Sequence, residues 1–288
     1  MTFSALKIIA TSLKRFNDDK CWNASIVISY FALLCAVPVV ALFAYITTRV
    51  LGDTELAFRS LNIFTEEFFA SLDPSFFKKI QGLSQNTADL GLFGLIGSLV
   101  SASFLFSNLI SSINTIFKAK YHRSFVYNRL MEYLIMFVIG IIMFFSLSIT
   151  AVWTALQRII QGSSLVSEYI NPHVLGIINN FFVQYLIPYA LTFLVFFTLY
   201  KFIPEVDVHT GIAALSAAVA ALLWEGFKRV FVIYVANFSA VGIVLSKLLA
   251  GTLTSIIFFL LWITFSLSIL LWGAELAAIL NERKASHA

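Results

Sequence analysis

Long apolar runs separated by short polar segments dominate the chain. Uncharged runs cover Cys21–Thr48, Leu90–Phe117, Tyr133–Gln157, Tyr169–Tyr200 and Leu248–Ala274. Each run exceeds the roughly 20 residues that a helix needs to cross the hydrocarbon core of a bilayer. Helices also satisfy their own backbone polar groups in lipid. The pattern therefore predicts an all-α, polytopic membrane protein in which residues 1–288 form a single membrane domain.

A sixth apolar region is interrupted by three charged residues, Glu225, Lys228 and Arg229. This region is either one long helix that carries charges or two short spans joined by a tight turn. We favour one helix over about Gly211–Asn237, followed by an extracytoplasmic turn. This interpretation brings the expected number of transmembrane helices to six.

The distribution of Lys and Arg predicts the orientation of these helices. With the N-terminus inside, the inner segments 1–20, 118–132, 201–210 and 275–288 carry 11 Lys or Arg residues, and the outer segments carry 6. Cytoplasmic segments of membrane proteins carry the excess of such residues. We therefore expect both termini to be cytoplasmic, with residues 275–288 as a tail.

Two segments outside the spans show helical patterns of their own. In residues 1–20, apolar positions recur at helical spacing beside Lys and Arg, which favours an amphipathic helix in the cytoplasmic interface. We expect this segment to be retained, since no signal-peptide cleavage site is evident. Residues 49–89 form the largest loop, and their apolar stripe predicts a helical extracytoplasmic lid.

The second half of the chain echoes the first. The sequence Phe145–Ile149 recurs as Phe265–Ile269, and spans 1 and 4 each contain a proline, Pro38 and Pro188. Two three-helix units would insert in opposite senses, and inverted repeats are typical of transporters. Chance is the alternative, because short matches are easily found in helices rich in Phe, Leu and Ser.

Small residues indicate which helices pack closely. Gly94 and Gly97 in span 2, and Ala217 and Ala221 in span 5, have the three- and four-residue spacings that let helices approach each other. We therefore expect spans 2 and 5 to be the inner helices. Spans 3 and 6, rich in Phe, Leu and Ile, are expected to face lipid.

Composition agrees with the membrane assignment and narrows the chemistry. Hydrophobic residues make up 60% of the chain, against 19 Lys and Arg and 15 Asp and Glu. This excludes a disordered chain and an ordinary soluble enzyme. The excess of basic residues fits the cytoplasmic bias, so we expect no nucleic-acid partner.

Cys21, Cys35 and the four histidines lack metal-ligand spacing, and no phosphate loop or nucleophile motif is present. We therefore expect no metal, no cofactor and no enzymatic activity.

The strongest candidate site is the group Glu225, Lys228 and Arg229, which helical spacing places on one face. Charged residues at membrane depth are costly and are usually functional. They could bind a small anion or an anionic lipid. The alternatives are an intrahelical ion pair and snorkelling of the basic side chains to the interface. Asn108 and Asn114 in span 2 are candidates for the same substrate site or for bonds between helices.

Other polar residues have a structural interpretation. Asn23 and Pro38 in span 1 are expected to be structural. We expect Glu275, at the end of span 6, to form a salt bridge with Lys201 or with the loop that begins at Lys118. The turn at Pro204–Asp207 is expected to cap span 5 with a carboxylate.

Several of these residues resemble the YihY/BrkB family of bacterial inner-membrane proteins. The segment Asn23–Tyr30 followed by Pro38 is similar to that family's first span, and Gly97–Ser103 with Asn108 and Asn114 is similar to its second. The C-terminal half matches at Pro204, Gly211, Trp224, Lys228, Tyr234 and Gly273–Glu275. The likeness covers roughly Asn17–Asn281, although Val241–Gly242 replaces the expected Tyr-Gly pair. It implies six spans and an inner-membrane location, but no settled activity.

Three functions remain open at this point. The repeat, the charged residues and the prolines favour a transporter or a protein that translocates lipids or anions. A structural or assembly protein of the envelope, docking through residues 49–89, is the alternative, and a membrane-embedded enzyme ranks last. We expect membrane lipids to be partners, and assembly into a homo-oligomer is left open.

Overall fold

The computed structural model describes residues 2–51, 87–119, 129–131, 133–142, 145, 185–237 and 252–286. Every regular element in these ranges is helical. The six bounded helices are α1 (Thr2–Asp18), α2 (Cys21–Leu51), α3 (Thr87–Ile116), α4 (Ile187–Phe202), α5 (Thr210–Asn237) and α6 (Thr252–Ala285). Residues 133–142 are also helical. The expected all-helical class is confirmed for the described part of the chain.

Three of the described helices, α3, α5 and α6, are long and apolar enough to cross a membrane. Shorter apolar segments occupy Cys21–Ala36 of α2 and all of α4. Of the two interpretations of the interrupted region, the single helix is correct, because α5 runs without a break through the charged residues. It begins one residue before the predicted start, Gly211.

Several predictions fall on residues outside the described ranges. These include residues 52–86 of the expected outer loop, the turn after α5, and most of predicted spans 3 and 4. One copy of the repeated segment, apart from Phe145, also lies there. The repeat and the lid therefore remain predictions.

Left-handed backbone conformations end two helices sharply. Lys118 follows α3 with φ 51°, and its N–H donates to Thr115 O at 3.0 Å, while Ala119 N–H donates to Asn114 O at 3.0 Å. This pair of bonds is a Schellman motif, which satisfies carbonyls at a helix end. Lys20, with φ 54°, similarly closes α1 and starts the turn into α2.

The helices contribute to two compact units. The first comprises Met1–Arg15, Ile113–Gly226 and Trp272–Ala288. Its core is built from the C-terminal part of α6, where every residue from Gly273 to Ile279 is buried, and from Ala213, Ala217, Ala220 and Ala221 of α5. Only Gly273 and Ala274 of this buried part belong to predicted span 6, Leu248–Ala274, so the expectation that span 6 faces lipid is wrong for its last two residues. The small residues of the buried part, Gly273, Ala274, Ala277 and Ala278, permit close packing in the way expected for spans 2 and 5.

The second unit comprises Phe16–Ser112 and Phe227–Leu271. Here the glycines of α3 lie directly against α2: a Cβ at Gly94 would come within 2.6 Å of Leu42 N, and one at Gly97 within 2.9 Å of Pro38 Cβ. Such distances are shorter than any real contact of a Cβ, so only glycine fits at either position. The close approach confirms the packing role predicted for these glycines and shows what the buried Pro38 contacts.

Candidate functional site

The predicted charged residues lie on one uninterrupted helix. Glu225 and Lys228 are half-buried and Arg229 is exposed. In the first unit, Thr192 of α4 donates its hydroxyl hydrogen to Glu225 Oε1 at 3.3 Å. This distance exceeds the usual range for bonds between oxygens, so the bond is weak. Glu225 thus contacts α4 through a weak hydrogen bond.

Aromatic residues fix the orientation of the next turn of α5. In the second unit, Phe227 and Phe231 pack against Trp262 of α6, with ring centroids 5.3 and 4.9 Å apart. Lys228 is three residues before Phe231 and therefore lies on the same side of α5 as this aromatic contact, whereas Arg229, two residues after Phe227, lies on another side.

The three candidate asparagines occupy different settings. Asn108 is half-buried and donates to Phe104 O of its own helix at 2.8 Å. Asn114 is only 2% exposed, and its Oδ1 accepts a hydrogen bond from Glu205 N–H at 3.0 Å. Asn23 is exposed on α2. Asn114 alone of the three is shown joining two elements of the chain.

Glu275 lies in the core of the first unit and is fully buried. Two residues earlier, Gly273 packs against Tyr200 and Ala220, which are also fully buried. Lys201, one of its expected partners, instead donates to Asp207 Oδ1 at 3.3 Å and to Val208 O at 2.5 Å. The predicted salt bridge with Lys201 is therefore wrong: Lys201 serves the connection between α4 and α5.

That connection, residues 203–209, is here named the α4–α5 loop. Asn281 of α6 holds it from one side, since its Nδ2 donates to Asp207 O at 3.0 Å and its Oδ1 accepts from His209 N–H at 3.2 Å. Asn114 of α3 accepts from Glu205 N–H of the loop, and Lys201 of α4 donates to Val208 O. Each bond satisfies a backbone group that the loop's irregular path leaves without a helical partner.

The N-terminal cap of α5 differs from the prediction. The ring of His209 accepts from Gly211 N–H through Nδ1 at 3.3 Å, and His209 O accepts from Ile212 N–H and Ala213 N–H at 2.9 and 3.0 Å. A carboxylate of Pro204–Asp207 was expected to do this. The side chain of Asp207 is 98% exposed and pairs with Lys201 instead, so histidine provides the cap.

An ionic cluster joins α1, the end of α3 and the end of α6. The guanidinium of Arg15 contacts both oxygens of Glu282, at 3.0 and 2.5 Å, and Lys118 Nζ lies 3.8 Å from Glu282 Oε1. At about 1.5 Å per residue, α6 is about 51 Å long, so its polar last turns extend beyond a hydrocarbon core about 30 Å thick. The hydrogen bonds from Arg15 lower the pKa of the Glu282 carboxyl, which outweighs the opposing effect of partial burial.

Sequence reasoning missed the residues that form these contacts. Asn281, His209 and the pair Arg15–Glu282 were not among the candidate site residues. Their partners lie up to 267 residues away in the chain, and single-sequence periodicity carries no information about such pairs. Among the described residues, no group of three His, Cys, Asp or Glu side chains could hold a metal ion.

Comparison with known proteins places this chain among bacterial membrane proteins. It is 26% identical over 272 residues to a UPF0761 membrane protein of Vibrio parahaemolyticus, covering 94% of this chain and 81% of the relative. It is 25% identical over 294 residues to a UPF0761 membrane protein of Mannheimia succiniciproducens, covering 96% and 93%. No solved structure matches. The family model described as "Virulence factor BrkB" matches residues 12–288, and the chain therefore belongs to the BrkB family.

Proposed function

We propose that this protein is a transporter that moves an anionic lipid or a small anion across the bacterial inner membrane. In this proposal the chain crosses the membrane six times with both termini in the cytoplasm, and it carries no covalent catalytic step. The observation that carries the proposal is the charged turn of α5, Glu225 to Arg229, on an otherwise apolar helix of 28 residues.

The depth of these charges supports a functional role. Glu225 lies 15 residues beyond Thr210, which corresponds to about 22 Å along the helix axis. The hydrocarbon core is about 30 Å thick, so a helix entering near Thr210 carries its charges in the outer half of that core. Each charge costs about 2.5–3.5 kcal/mol at the centre of a span, and less near the interface. A purely structural helix would avoid that cost with apolar residues.

The contacts of the charged turn support anion binding. Arg229 is exposed, and Lys228 is half-buried one turn before Phe231. A guanidinium offers two parallel donors to a phosphate, and an ammonium offers a compact charge beside it. The adjacent Glu225 offsets part of the positive charge when no anion is bound.

Competition between Glu225 and the anion gives the turn two states. In one state Glu225 compensates the basic pair, and in the other the anion does so while Glu225 accepts from Thr192. The long Thr192–Glu225 bond can be lost and regained at low cost, as an exchange during transport requires. A ligand drives such a change only if it binds the two states with different affinity.

The test uses proteoliposomes that contain fluorescent phosphatidylglycerol, with dithionite quenching to measure translocation. We expect Lys228→Gln to reduce the rate at least about tenfold, because removing one cation weakens phosphate binding. Lys284→Gln is the matched control, since Lys284 is exposed in the last turn of α6. It should retain the wild-type rate.

A second variant separates transport from a structural role. In a transporter, Glu225→Gln should retain more phosphatidylglycerol and release it more slowly, because the anion no longer competes with a carboxylate. In an envelope assembly protein, the same change would lower the melting temperature in detergent and leave lipid retention unchanged. Equal translocation by wild type, Lys228→Gln and protein-free vesicles would refute the proposal.

A further inference from the structure

Helix α1 presents three faces that consecutive residues define. Ser12 is fully buried, Leu13 is 55% exposed, and Lys14 is exposed. Each residue is rotated about 100° from the one before it around the helix axis. One face therefore meets the protein, the next is apolar and uncovered, and the third is basic.

The buried face attaches α1 to α6 within the first unit. Trp272 Nε1 donates to Ser12 Oγ at 3.1 Å, and Arg15 pairs with Glu282 on the same side of α1. The two points of attachment on α6 are ten residues apart. Tryptophan is enriched at the membrane–water interface, and this preference favours a position of α1 at that level.

The other two faces have the character of a helix lying in a bilayer surface. Ile9, which shares the apolar face with Leu13, is 44% exposed. Lys7 and Lys14 are both exposed and lie two turns apart on the basic face. The charge of Arg15 is already matched by Glu282, whereas the lysines project into their surroundings. Of the acidic residues of this region, Asp18 is the last residue of α1, one turn beyond Lys14, and Asp19 lies in the turn to α2.

We propose that α1 is a binding surface for the anionic headgroups of the membrane. Ile9 and Leu13 enter the acyl region, and Lys7 and Lys14 bind lipid phosphates above it. The occupant is the bilayer because only Asp19 and Lys20 separate α1 from the apolar helix α2 in the chain. A basic face beside an apolar one matches an anionic lipid surface in charge and in depth.

This surface is separate from the charged turn of α5, so its test is independent of the transport proposal. The probe is the full-length protein in nanodiscs of phosphatidylcholine with or without 30% phosphatidylglycerol, the composition being chosen to give about one anionic lipid in three. The variant is Lys7→Gln with Lys14→Gln. The matched control is Arg283→Gln with Lys284→Gln, which removes the same charge from the end of α6. Mass spectrometry measures the phosphatidylglycerol that remains with each purified protein.

We expect the α1 variant to lose about thirtyfold in its preference for phosphatidylglycerol, the effect expected for two lysines at an anionic surface. The control should keep the preference of the wild type. Equal losses in both pairs would overturn the assignment to α1, and so would an unchanged preference in the α1 variant. Melting temperatures of all three proteins should agree, since the substituted side chains are at the surface.

A depth measurement tests the apolar face directly. A fluorophore attached at Leu13→Cys, with Cys21 and Cys35 replaced by Ser, should emit as in hydrocarbon and resist aqueous quenchers. The same label at Lys14→Cys should be quenched. Quenching at both positions would place α1 in water and overturn the proposal.

Discussion

Replacing Gly273 by Ala tests the close packing at the centre of the first unit. An added Cβ would lie 2.6 Å from Ala220 Cβ and would also collide with the hydroxyl oxygen of Tyr200. Carbon atoms that are not bonded normally stay about 3.5–4.0 Å apart. Both neighbours are fully buried, so neither can move into free space. The substitution must therefore separate α6 from α4 and α5.

The expected cost follows from two opposing effects. Overpacking a well-packed core costs about 1–3 kcal/mol, while alanine favours a helix over glycine by about 0.5–1 kcal/mol. We expect a net destabilisation of about 1–2 kcal/mol. Gly226→Ala is the matched control, because a Cβ there meets nothing within 4 Å. In that variant only the higher helix propensity of alanine acts, so its free energy of unfolding should rise by about 0.5–1 kcal/mol.

The assay is thermal unfolding in detergent, followed by tryptophan fluorescence, since Trp272 adjoins the substituted position. Gly273→Ala should melt at a lower temperature than the wild type and Gly226→Ala at a higher one. Adding Tyr200→Phe to Gly273→Ala removes one colliding atom and should recover part of the loss. If both glycine variants shifted the melting temperature in the same direction, the packing argument would be refuted.

Two further predictions concern the polar contacts of the first unit. The pKa of the Glu282 carboxyl is lowered from its ordinary value of 4.5, so its pairing with Arg15 stabilises the fold fully above that value and progressively less as the pH falls below it. Glu282→Gln should remove this acid dependence, as melting curves recorded at several pH values would show. Asn281→Ala should cost about 0.5–1.5 kcal/mol, because two exposed backbone groups of the α4–α5 loop exchange their partner for water. Asn23→Ala, at an exposed position, should leave the melting temperature unchanged, and equal effects of the two asparagine variants would contradict this account.

The sequence alone predicted the helical elements well, for a physical reason. Lipid requires each span to be both apolar and internally hydrogen-bonded. A span is therefore visible in the sequence as a continuous run of apolar residues. The course of α5 through Glu225 and Lys228, and the close packing of Gly94 and Gly97, were predicted from such patterns, whereas their partner α2 was not. The prediction that span 6 faces lipid was wrong at its end, Gly273 and Ala274, because apolar residues are needed equally against lipid and inside a membrane protein. Only the position of a helix in the bundle distinguishes the two.

The polar contacts were decided by the tertiary structure. In the sequence, Asn281 is an ordinary residue of a polar tail, and only the structure shows that it binds the α4–α5 loop. Arg15 is likewise one of several basic residues, and only the structure shows its pairing with Glu282. Each of these bonds depends on two side chains far apart in sequence reaching the same place with suitable geometry. Hydrophobic periodicity determines which face of a helix is buried, but it does not specify which neighbour covers that face. The sequence thus determined the class of protein and its helices, and the packing of the helices determined which polar groups act together.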